Sequence, residues 1–331
     1  MSDWPVTAEL YLTEQCNLHC RYCYVDHRAP HAGLSTAQWI RVLDELAAMQ
    51  VCSVLFSGGE PLQRNDFLLL LQGAVERRMR FTLTTNGTLL TPKLLEQLLP
   101  FKRRCDNIQI SVDGPEKIHD FSRGWGSFSA MTRGVNLLRE AGFPLTARIT
   151  LGQHNIGHLM EAGKVIFDQL QIPCCGINLV TKVHGVKINL EPTLNDFRKL
   201  LREFPVIFQR WPNRFLADGP WMSFLSWKKF LNLPSGDKSL HPCTLSGRRL
   251  CVMSNGDVVH CSVLEDAPGG NCLKMALRDI WFAMCQKGVG FAPECLTCEF
   301  KGRCPGRCNC SDGMCLARFL SLGGTVDELL Q

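Results

Sequence analysis

Long apolar segments are missing from this chain of 331 residues. No stretch approaches the roughly 18 uninterrupted apolar residues that a membrane-spanning helix needs, so the sequence predicts no membrane span. Residues Met1 to Leu10 combine neither a basic start nor an apolar run, and they therefore do not resemble a secretory signal. We expect a protein of the cytoplasm.

A strong excess of one charge is also missing. The formal net charge is +5, from 36 Lys and Arg against 31 Asp and Glu. A mildly basic surface of this kind is weak support for nucleic-acid binding, and we expect no nucleic-acid partner. The sequence contains no internal repeat and no low-complexity segment, and its 45% hydrophobic residues suffice for an ordinary globular core.

Cysteine, by contrast, is abundant, with 18 residues. In a reducing cytosol such residues more often bind metals or clusters than form disulfides. Cys16, Cys20 and Cys23 form one group, and a second, larger group begins at Cys243 and ends at Cys315. Two groups far apart in the sequence predict two separate metal-binding regions.

Short apolar segments typical of β-strands alternate with helical patterns through the first half of the chain. The predicted strands are residues 6–12, 51–56, 80–85, 107–112, 145–151 and 176–181. Six such units predict a parallel sheet covered by helices, and they are too few for a complete eight-fold barrel. We therefore expect a partial (β/α)6 TIM-like barrel at residues 1–185, with its functional loops at the C-terminal ends of the strands. A mostly helical connector at 186–240 and a small cysteine-rich domain at 241–331 follow.

The first cysteine group directly follows the first predicted strand. Three thiolates on one loop can hold three irons of a 4Fe–4S cluster and leave the fourth iron open to a substrate. A zinc site is the alternative, with His19 or His27 as its fourth ligand. With Tyr22 before the last cysteine, the sequence CNLHCRYCY resembles the radical S-adenosylmethionine (SAM) superfamily. There, Cys16, Cys20 and Cys23 would hold the cluster that binds SAM.

The resemblance implies SAM contacts at the ends of later strands. Gly58, Gly59 and Glu60 resemble the GGEP element of that superfamily, which accepts hydrogen bonds from the methionine ammonium. Glycine lets the backbone approach a ligand closely, although a Gly-Gly turn after a strand is usually only a turn. Thr85 and Asn86 are candidates for ribose or substrate contacts, and the alternative for Asn86 is a turn before glycine.

Two further residues resemble a carboxylate-binding pair. In related maturases, the residues matching Ser111 and Arg123 hold the methionine carboxylate, and a guanidinium suits a carboxylate bidentately. A surface salt bridge is the alternative for Arg123.

The C-terminal cysteines resemble the SPASM domain, an extension of peptide- and protein-modifying radical SAM enzymes organised by iron–sulfur clusters. Gly256 lies in a hairpin-like turn that would bring Cys261 back towards Cys251. The resemblance implies two auxiliary 4Fe–4S clusters, and paired zinc knuckles are the alternative. The first cluster would take Cys243, Cys251, Cys261 and Cys308, and the second Cys295, Cys298, Cys304 and Cys315, with Cys310 as the alternative last ligand.

The resemblance also implies the chemistry. One electron, supplied by a flavodoxin- or ferredoxin-type donor, would cleave SAM to methionine and a 5′-deoxyadenosyl radical that abstracts hydrogen from an unactivated C–H bond. The leading hypothesis is modification of a ribosomal peptide, by crosslinking or by epimerisation. For epimerisation, a spare cysteine is a possible hydrogen donor; the catalytic residues are otherwise unknown.

Three alternatives remain. An anaerobic sulfatase maturase would carry a carboxylate directly after Cys261, where this chain has Ser262. Haem or quinone-precursor maturation is a second enzyme hypothesis, and an iron–sulfur electron-transfer or metal-storage module is the non-enzyme one. Because only 15 residues precede Cys16, we expect no leader-binding domain there. A separate leader-peptide-binding protein, or the connector and barrel mouth, would then bind the peptide.

Overall fold

One ten-stranded sheet organises this protein in a computed structural model, which describes residues 4–23, 25, 33–180, 190–217, 249–262, 268–287, 297 and 322–325. The strands are β1 (Thr7–Tyr11), β2 (Ser53–Ser57), β3 (Arg80–Thr85), β4 (Cys105–Ser111), β5 (Leu145–Leu151), β6 (Cys174–Leu179), β7 (Phe215–Ala217), β8 (Arg249–Val252), β9 (Asp257–Val259) and β10 (Gly270–Asn271). Their order is β10-β9-β8-β1-β2-β3-β4-β5-β6-β7, and β1 to β7 are parallel. The six predicted strands and their parallel arrangement are confirmed.

Helices connect the parallel strands. They are α1 (Thr36–Ala48), α2 (Phe67–Glu76), α3 (Pro92–Leu98), α4 (Glu116–Arg123), α5 (Ser127–Glu140), α6 (Leu159–Gly163), α7 (Leu194–Arg210) and α8 (Leu277–Lys287). Short 3₁₀ segments lie at Pro61–Gln63, Leu99–Arg104 and Ile156–His158, and a π-helical segment at Lys164–Gln169 continues α6. Among the described helices, none has the length and apolar character needed to cross a membrane.

The start of α1 shows how local sequence sets these boundaries. Ser35 accepts a hydrogen bond from the Gln38 amide at 3.3 Å, and the Gln38 side chain accepts one from the Ser35 amide at 2.8 Å. This reciprocal pair is a capping box, and it satisfies two amides that the first helical turn leaves without intrahelical partners. The predicted start of the helix is confirmed.

Each parallel strand buries one face against the helices. Leu10, Phe56, Leu83 and Ile110 belong to the main hydrophobic core. Along β5, buried and half-buried residues alternate strictly, since successive side chains point to opposite faces. The half-buried face of β5 carries polar residues such as Arg148, so the side of the sheet that lines the partial barrel is polar.

The described C-terminal strands extend the same sheet. β8 pairs with β1 in parallel, so β1 has a partner on both sides. β8 and β9 form an antiparallel hairpin in which Cys251 lies opposite Val259, and Gly256 in its turn has φ 90°. The predicted hairpin is confirmed. The domain boundaries at 185 and 240 lie in or beside parts of the chain outside the described residues and stay predictions.

A buried ion pair joins β1 to β8. The Arg249 guanidinium contacts the Glu9 carboxylate, whose other oxygen accepts a hydrogen bond from Ser57 at 2.6 Å. The two charged side chains are only 17% and 6% exposed. Removing one partner would leave a buried charge without compensation.

We predict that Glu9→Gln lowers the free energy of unfolding by about 3–5 kcal/mol, because Arg249 then stays buried without its counterion. Urea unfolding of the iron-free protein measures this loss. The double substitution Glu9→Gln and Arg249→Met should recover most of it. As a matched control, Asp44→Asn breaks the pair of Asp44 with Arg77, in which Asp44 is 60% exposed, and should cost at most about 1 kcal/mol. Equal losses in Glu9→Gln and Asp44→Asn would contradict the prediction.

Candidate active site

The loop that carries the three N-terminal cysteines, residues 12–23, is here called the cysteine loop. It is fixed first by the end of β2. The amide of Leu12 donates to the Ser57 carbonyl at 2.9 Å, and the amides of Gly59 and Glu60 donate to the carbonyls of Thr13 and Gln15 at 2.6 and 2.8 Å. The GGEP element therefore continues the pairing of β1 with β2 into the cysteine loop.

The two glycines are needed for this close contact. A Cβ atom at Gly58 would lie 2.5 Å from the Thr13 carbonyl oxygen, and one at Gly59 would lie 2.3 Å from the Gln15 carbonyl oxygen. Gly58 also has φ 138°, which side chains rarely tolerate. In this structure, the backbone that approaches Gly58 and Gly59 is that of the cysteine loop itself.

The end of β3 makes a second contact with the loop. Asn86 donates from its amide nitrogen to the Asn17 side-chain oxygen at 2.9 Å, and Asn17 donates to the Thr88 hydroxyl at 2.8 Å. Asn86 also lies with Nδ2 3.9 Å from the Cys16 sulfur. Its own oxygen accepts from the Thr88 amide at 2.9 Å, so the turn role of Asn86 is present too.

Glu60 ties the ends of β2 and β3 together. Its fully buried carboxylate accepts hydrogen bonds from the Thr85 hydroxyl at 2.8 Å and from the amides of Asn86 and Leu62 at 2.7 and 3.1 Å. Burial, opposed by these three donors, raises the pKa of Glu60 from 4.5 to about 7. Here Glu60 and Thr85 are joined in one hydrogen-bonded unit; their proposed ligand contacts stay predictions.

The end of β4 provides the third contact, through Asp113 and α4. The Arg21 amide in the cysteine loop donates to the Ser122 carbonyl at 2.8 Å. Asp113 is completely buried, and one of its oxygens accepts from the hydroxyls of Tyr22 at 2.6 Å and Ser122 at 2.8 Å. Arg123 donates two hydrogen bonds to the same carboxylate, from Nε at 2.8 Å and from Nη2 at 3.1 Å.

Arg123 therefore forms a buried ion pair, and its interpretation as a surface salt bridge is wrong. Its side chain is 8% exposed and that of Asp113 is 0% exposed. Although burial opposes ionisation, the Arg123 guanidinium lowers the pKa of Asp113 to about 2. The remaining nitrogen, Nη1, lies 3.9 Å from the Cys20 sulfur. A methionine carboxylate bound by Arg123 would have to use the edge of the guanidinium that Asp113 leaves free.

The environment of the three thiols fits an iron–sulfur cluster. All three are half-buried, and burial raises the pKa of Cys16 to about 11 and that of Cys20 to about 12. Cluster iron binds thiolates, so it would supply the positive charge that these buried sulfurs need. Arg123 and Asn86 offer N–H groups to two of the sulfurs, a contact typical of cluster environments.

Across the described ranges, no three His, Cys, Asp or Glu side chains are grouped as ligands of a single metal ion. Three cysteines at the corners of a cube stand further apart than the ligands of one ion. His27, one of the two candidates for the fourth ligand of a zinc site, lies outside the described residues.

Several residues around Asp113 were not predicted. His119 is buried, and its Nδ1 accepts a hydrogen bond from the Asp113 amide at 3.3 Å. The Asn155 side chain donates a hydrogen bond to the Asp113 carbonyl at 3.1 Å. The ring of His154 stacks on Tyr22 with centroids 5.7 Å apart. The only sequence signal for this group was its position after β4 and β5, where barrel enzymes place functional residues.

Ser111, the last residue of β4, is half-buried and lies in register with Arg148 on β5. It therefore faces the polar side of the sheet beside the Asp113 group. Of the predicted auxiliary-cluster ligands, Cys251 is buried on β8 and Cys261 follows β9. The others, Cys243, Cys295, Cys298, Cys304, Cys308 and Cys315 with its alternative Cys310, lie outside the described residues.

The sequence profile of the radical SAM superfamily matches residues 10–165. The PqqA peptide cyclase of Granulibacter bethesdensis is 29% identical over 335 aligned positions, covering 92% of this chain and 83% of the cyclase. An AdoMet-dependent heme synthase of Methanosarcina barkeri is 25% identical, and the alignment covers 92% of this chain and 92% of the synthase. The crystal structure of Streptococcus suis SuiB bound to S-adenosylmethionine superposes with a TM-score of 0.74 at 20% identity, over 97% of this chain and 75% of SuiB. That likeness concerns the fold.

We predict that Gly59→Ala displaces the cysteine loop, because its Cβ would lie 2.3 Å from the Gln15 carbonyl oxygen. After anaerobic reconstitution, this variant should hold about four fewer irons per chain, the content of one 4Fe–4S cluster. Gly157→Ala is the matched control, since nothing lies within 4 Å of its added carbon. Wild-type iron content in Gly59→Ala would refute the steric argument.

Glu60 should give the folded protein a measurable pH dependence. Its pKa rises from 4.5 to about 7 on folding, so its contribution to stability is complete below pH 4.5 and is lost as the pH rises to about 7. Relative to Glu60→Gln, the free energy of unfolding of the wild type should fall across that window. Urea unfolding of iron-free protein at a series of pH values tests this, and parallel curves for the two proteins would contradict it.

Proposed function

Because this chain is a radical SAM enzyme, with its radical SAM domain at residues 10–165, we propose that it modifies a ribosomally made peptide or small protein. A bound 4Fe–4S cluster and SAM would supply the radical chemistry that removes a hydrogen atom from a C–H bond of the substrate. The reaction would take place in the cytoplasm, with a flavodoxin- or ferredoxin-type protein as electron donor.

One observation carries the peptide assignment. The similarity to the PqqA peptide cyclase covers 92% of this chain at 29% identity, against 25% identity for the AdoMet-dependent heme synthase at the same coverage. A match of that length extends beyond the barrel into the cysteine-rich segment that begins at Cys243. A separate leader-peptide-binding protein, or the connector and barrel mouth, would hold the peptide.

The described side chains have distinct roles in this proposal. Cys16, Cys20 and Cys23 would hold the catalytic 4Fe–4S cluster, which supplies the electron when bound. Ser111 and the free edge of Arg123 would bind the methionine carboxylate, since Arg123 is already oriented by Asp113. Tyr22, held by the same carboxylate at 2.6 Å, would form one wall of the SAM site.

The ammonium and ribose of SAM would bind nearby. Glu60 would accept from the methionine ammonium together with backbone carbonyls at Gly58 and Gly59. Thr85 and Asn86 are hydrogen-bonded to Glu60 and would contact the ribose of SAM or the substrate. Their position at the ends of adjacent strands supports one continuous binding surface.

We assign two auxiliary 4Fe–4S clusters to the C-terminal cysteines. The β8–β9 hairpin supports the first, because it brings the chain from Cys251 back towards Cys261. The proposed ligands are Cys243, Cys251, Cys261 and Cys308 for one cluster, and Cys295, Cys298, Cys304 and Cys315 for the other.

Crosslinking is the better supported fate of the substrate radical. Epimerisation needs a thiol near the radical, but Cys174 and Cys175 begin β6 and so lie at the opposite end of the parallel sheet from the cysteine loop. Cys105 likewise begins β4. Within the described ranges, no spare cysteine ends a barrel strand next to that loop. Crosslinking instead requires an electron acceptor, which auxiliary clusters would provide.

Haem maturation is the second candidate, favoured by the similarity to the AdoMet-dependent heme synthase over 92% of both chains. The two functions differ in substrate, a peptide against a tetrapyrrole. A short open reading frame beside the gene, whose product stimulates 5′-deoxyadenosine formation, would support the peptide assignment. Stimulation by an iron porphyrin alone would support the haem assignment.

We predict that Cys20→Ala abolishes SAM cleavage to 5′-deoxyadenosine and lowers the iron content from about 12 to about 8 per chain, since one of three 4Fe–4S clusters is lost. Chromatographic analysis of 5′-deoxyadenosine and iron quantification after anaerobic reconstitution measure both effects. Cys52→Ala, which removes an exposed thiol, is the matched control and should change neither. Retained cleavage in Cys20→Ala would refute the catalytic assignment, and about 4 irons in the wild type would refute the auxiliary clusters.

A further inference from the structure

An exposed tryptophan lies at the edge of the candidate active site. Trp125, in the turn between α4 and α5, is 97% exposed. It stands between Gly124 and Gly126, which have φ 118° and 78°, and neither glycine has an atom within 4 Å of the position of an added Cβ. A large aromatic side chain held in water forgoes about 1.5–3 kcal/mol of burial free energy. Such a residue is typical of a binding surface.

Hydrogen bonds to the Asp120 side chain hold this turn in place, and Trp125 takes no part in them. Asp120 accepts hydrogen bonds from the amides of Gly126 and Phe128 at 2.8 Å each and from the Ser127 hydroxyl at 3.1 Å. These bonds define the start of α5 and engage both oxygens of the carboxylate. The backbone of the turn is thus held in place while the indole of Trp125 stays open to a partner.

Phe121, four residues before Trp125 in the sequence, and Arg21 of the cysteine loop are exposed as well. Phe121 is 46% exposed, and the guanidinium of Arg21 lies 4.1 Å from the centre of its ring. Arg21 itself is exposed and belongs to the cysteine loop. We call Arg21, Phe121 and Trp125 the Trp125 surface; it combines two exposed aromatic rings with one exposed positive charge.

The Trp125 surface adjoins the cysteines that would hold the catalytic cluster. Arg21 directly follows Cys20 in the sequence. Trp125 follows Arg123 by two residues, and Arg123 Nη1 lies 3.9 Å from the Cys20 sulfur. A protein seated on this surface would therefore be close to the cluster, and electron transfer between proteins weakens steeply with distance.

We propose that the Trp125 surface is the docking site of an acidic one-electron carrier protein that reduces the catalytic cluster. The inference rests on the proposed function. The exposed Arg21 guanidinium, which lies against the Phe121 ring, favours a partner that brings acidic side chains to it. Redox encounters bury little area, so one tryptophan, one phenylalanine and one arginine are enough to define the centre of the interface.

A peptide substrate fits this surface less well. The substrate carbon must reach the polar inner side of the barrel, where Ser111 and Arg148 lie, whereas Trp125 is almost completely surrounded by solvent. The experiment therefore distinguishes docking of a peptide substrate from docking of an electron carrier.

The test compares two ways of supplying the electron. SAM cleavage to 5′-deoxyadenosine is measured with an acidic flavodoxin kept reduced by NADPH and its reductase, and in parallel with dithionite, which needs no docking surface. Trp125→Ala should raise the flavodoxin concentration at half-maximal rate roughly tenfold, the effect of one interface hot spot. The dithionite-driven rate should stay at the wild-type value. Phe208→Ala, which removes an exposed aromatic ring on α7, is the matched control and should behave as wild type.

Charge is tested with Arg21→Gln. Raising the salt concentration should weaken the flavodoxin-driven reaction of the wild type, because screening reduces attraction between exposed charges. That salt dependence should be smaller in Arg21→Gln. Equal salt dependence in the two proteins would overturn the assignment of an acidic partner.

A direct binding measurement tests the docking site without requiring turnover. The dissociation constant of oxidised flavodoxin, measured with the reconstituted protein, should rise roughly tenfold in Trp125→Ala. An unchanged constant would overturn the docking site even if the wild type cleaves SAM. A raised half-saturating peptide concentration with dithionite as reductant would assign the surface to the substrate instead. Failure of wild-type protein to cleave SAM with dithionite would refute the proposed function, a different result from either of these.

Discussion

The buried ion pair between Asp113 and Arg123 is the interaction on which the active site depends. Asp113 is also bound by Tyr22, Ser122 and, at 3.4 Å, the Thr150 amide. Its carboxylate therefore joins the cysteine loop, α4 and β5 at one point. Taking two charges out of water is costly, and a buried pair is tolerable only when its other hydrogen-bonding positions are filled, as they are at Asp113. The same pair fixes where the last nitrogen of Arg123 points.

The ends of β2, β3 and β4 each contact a different part of the cysteine loop. Thr13 and Gln15 are paired with the GGEP element, Asn17 with Asn86, and Arg21 with Ser122. These bonds hold the backbone of the cysteine loop against the strand ends. The three motifs that resemble SAM-binding elements are thus also the scaffold of the cysteine loop, so a substitution in any of them would affect both the loop and the ligand.

Local patterns predicted much of the fold. Alternating strands, the capping box at Ser35 and the turn at Gly256 all depend on residues close in sequence, and each is confirmed. α4 was missed because the side chains it buries, His119, Ser122 and Arg123, are polar and give no apolar stripe. The role of Asp113 was missed for a related reason: Asp113-Gly114-Pro115 matches a turn, and its partner Arg123 lies ten residues further on. Only the folded chain shows that the two charges meet inside the protein.

The pairing of β1 with β8 has a consequence for how the chain reaches its native state. Thr7 lies opposite Arg249, so residues separated by most of the sequence must find each other. During synthesis the emerging β1 has an open edge on that side until β8 leaves the ribosome, and open edges invite pairing with other chains. Parallel contacts over such long separations also form slowly. The strand that leads into the cysteine loop is therefore among the first to be made and among the last to be completed.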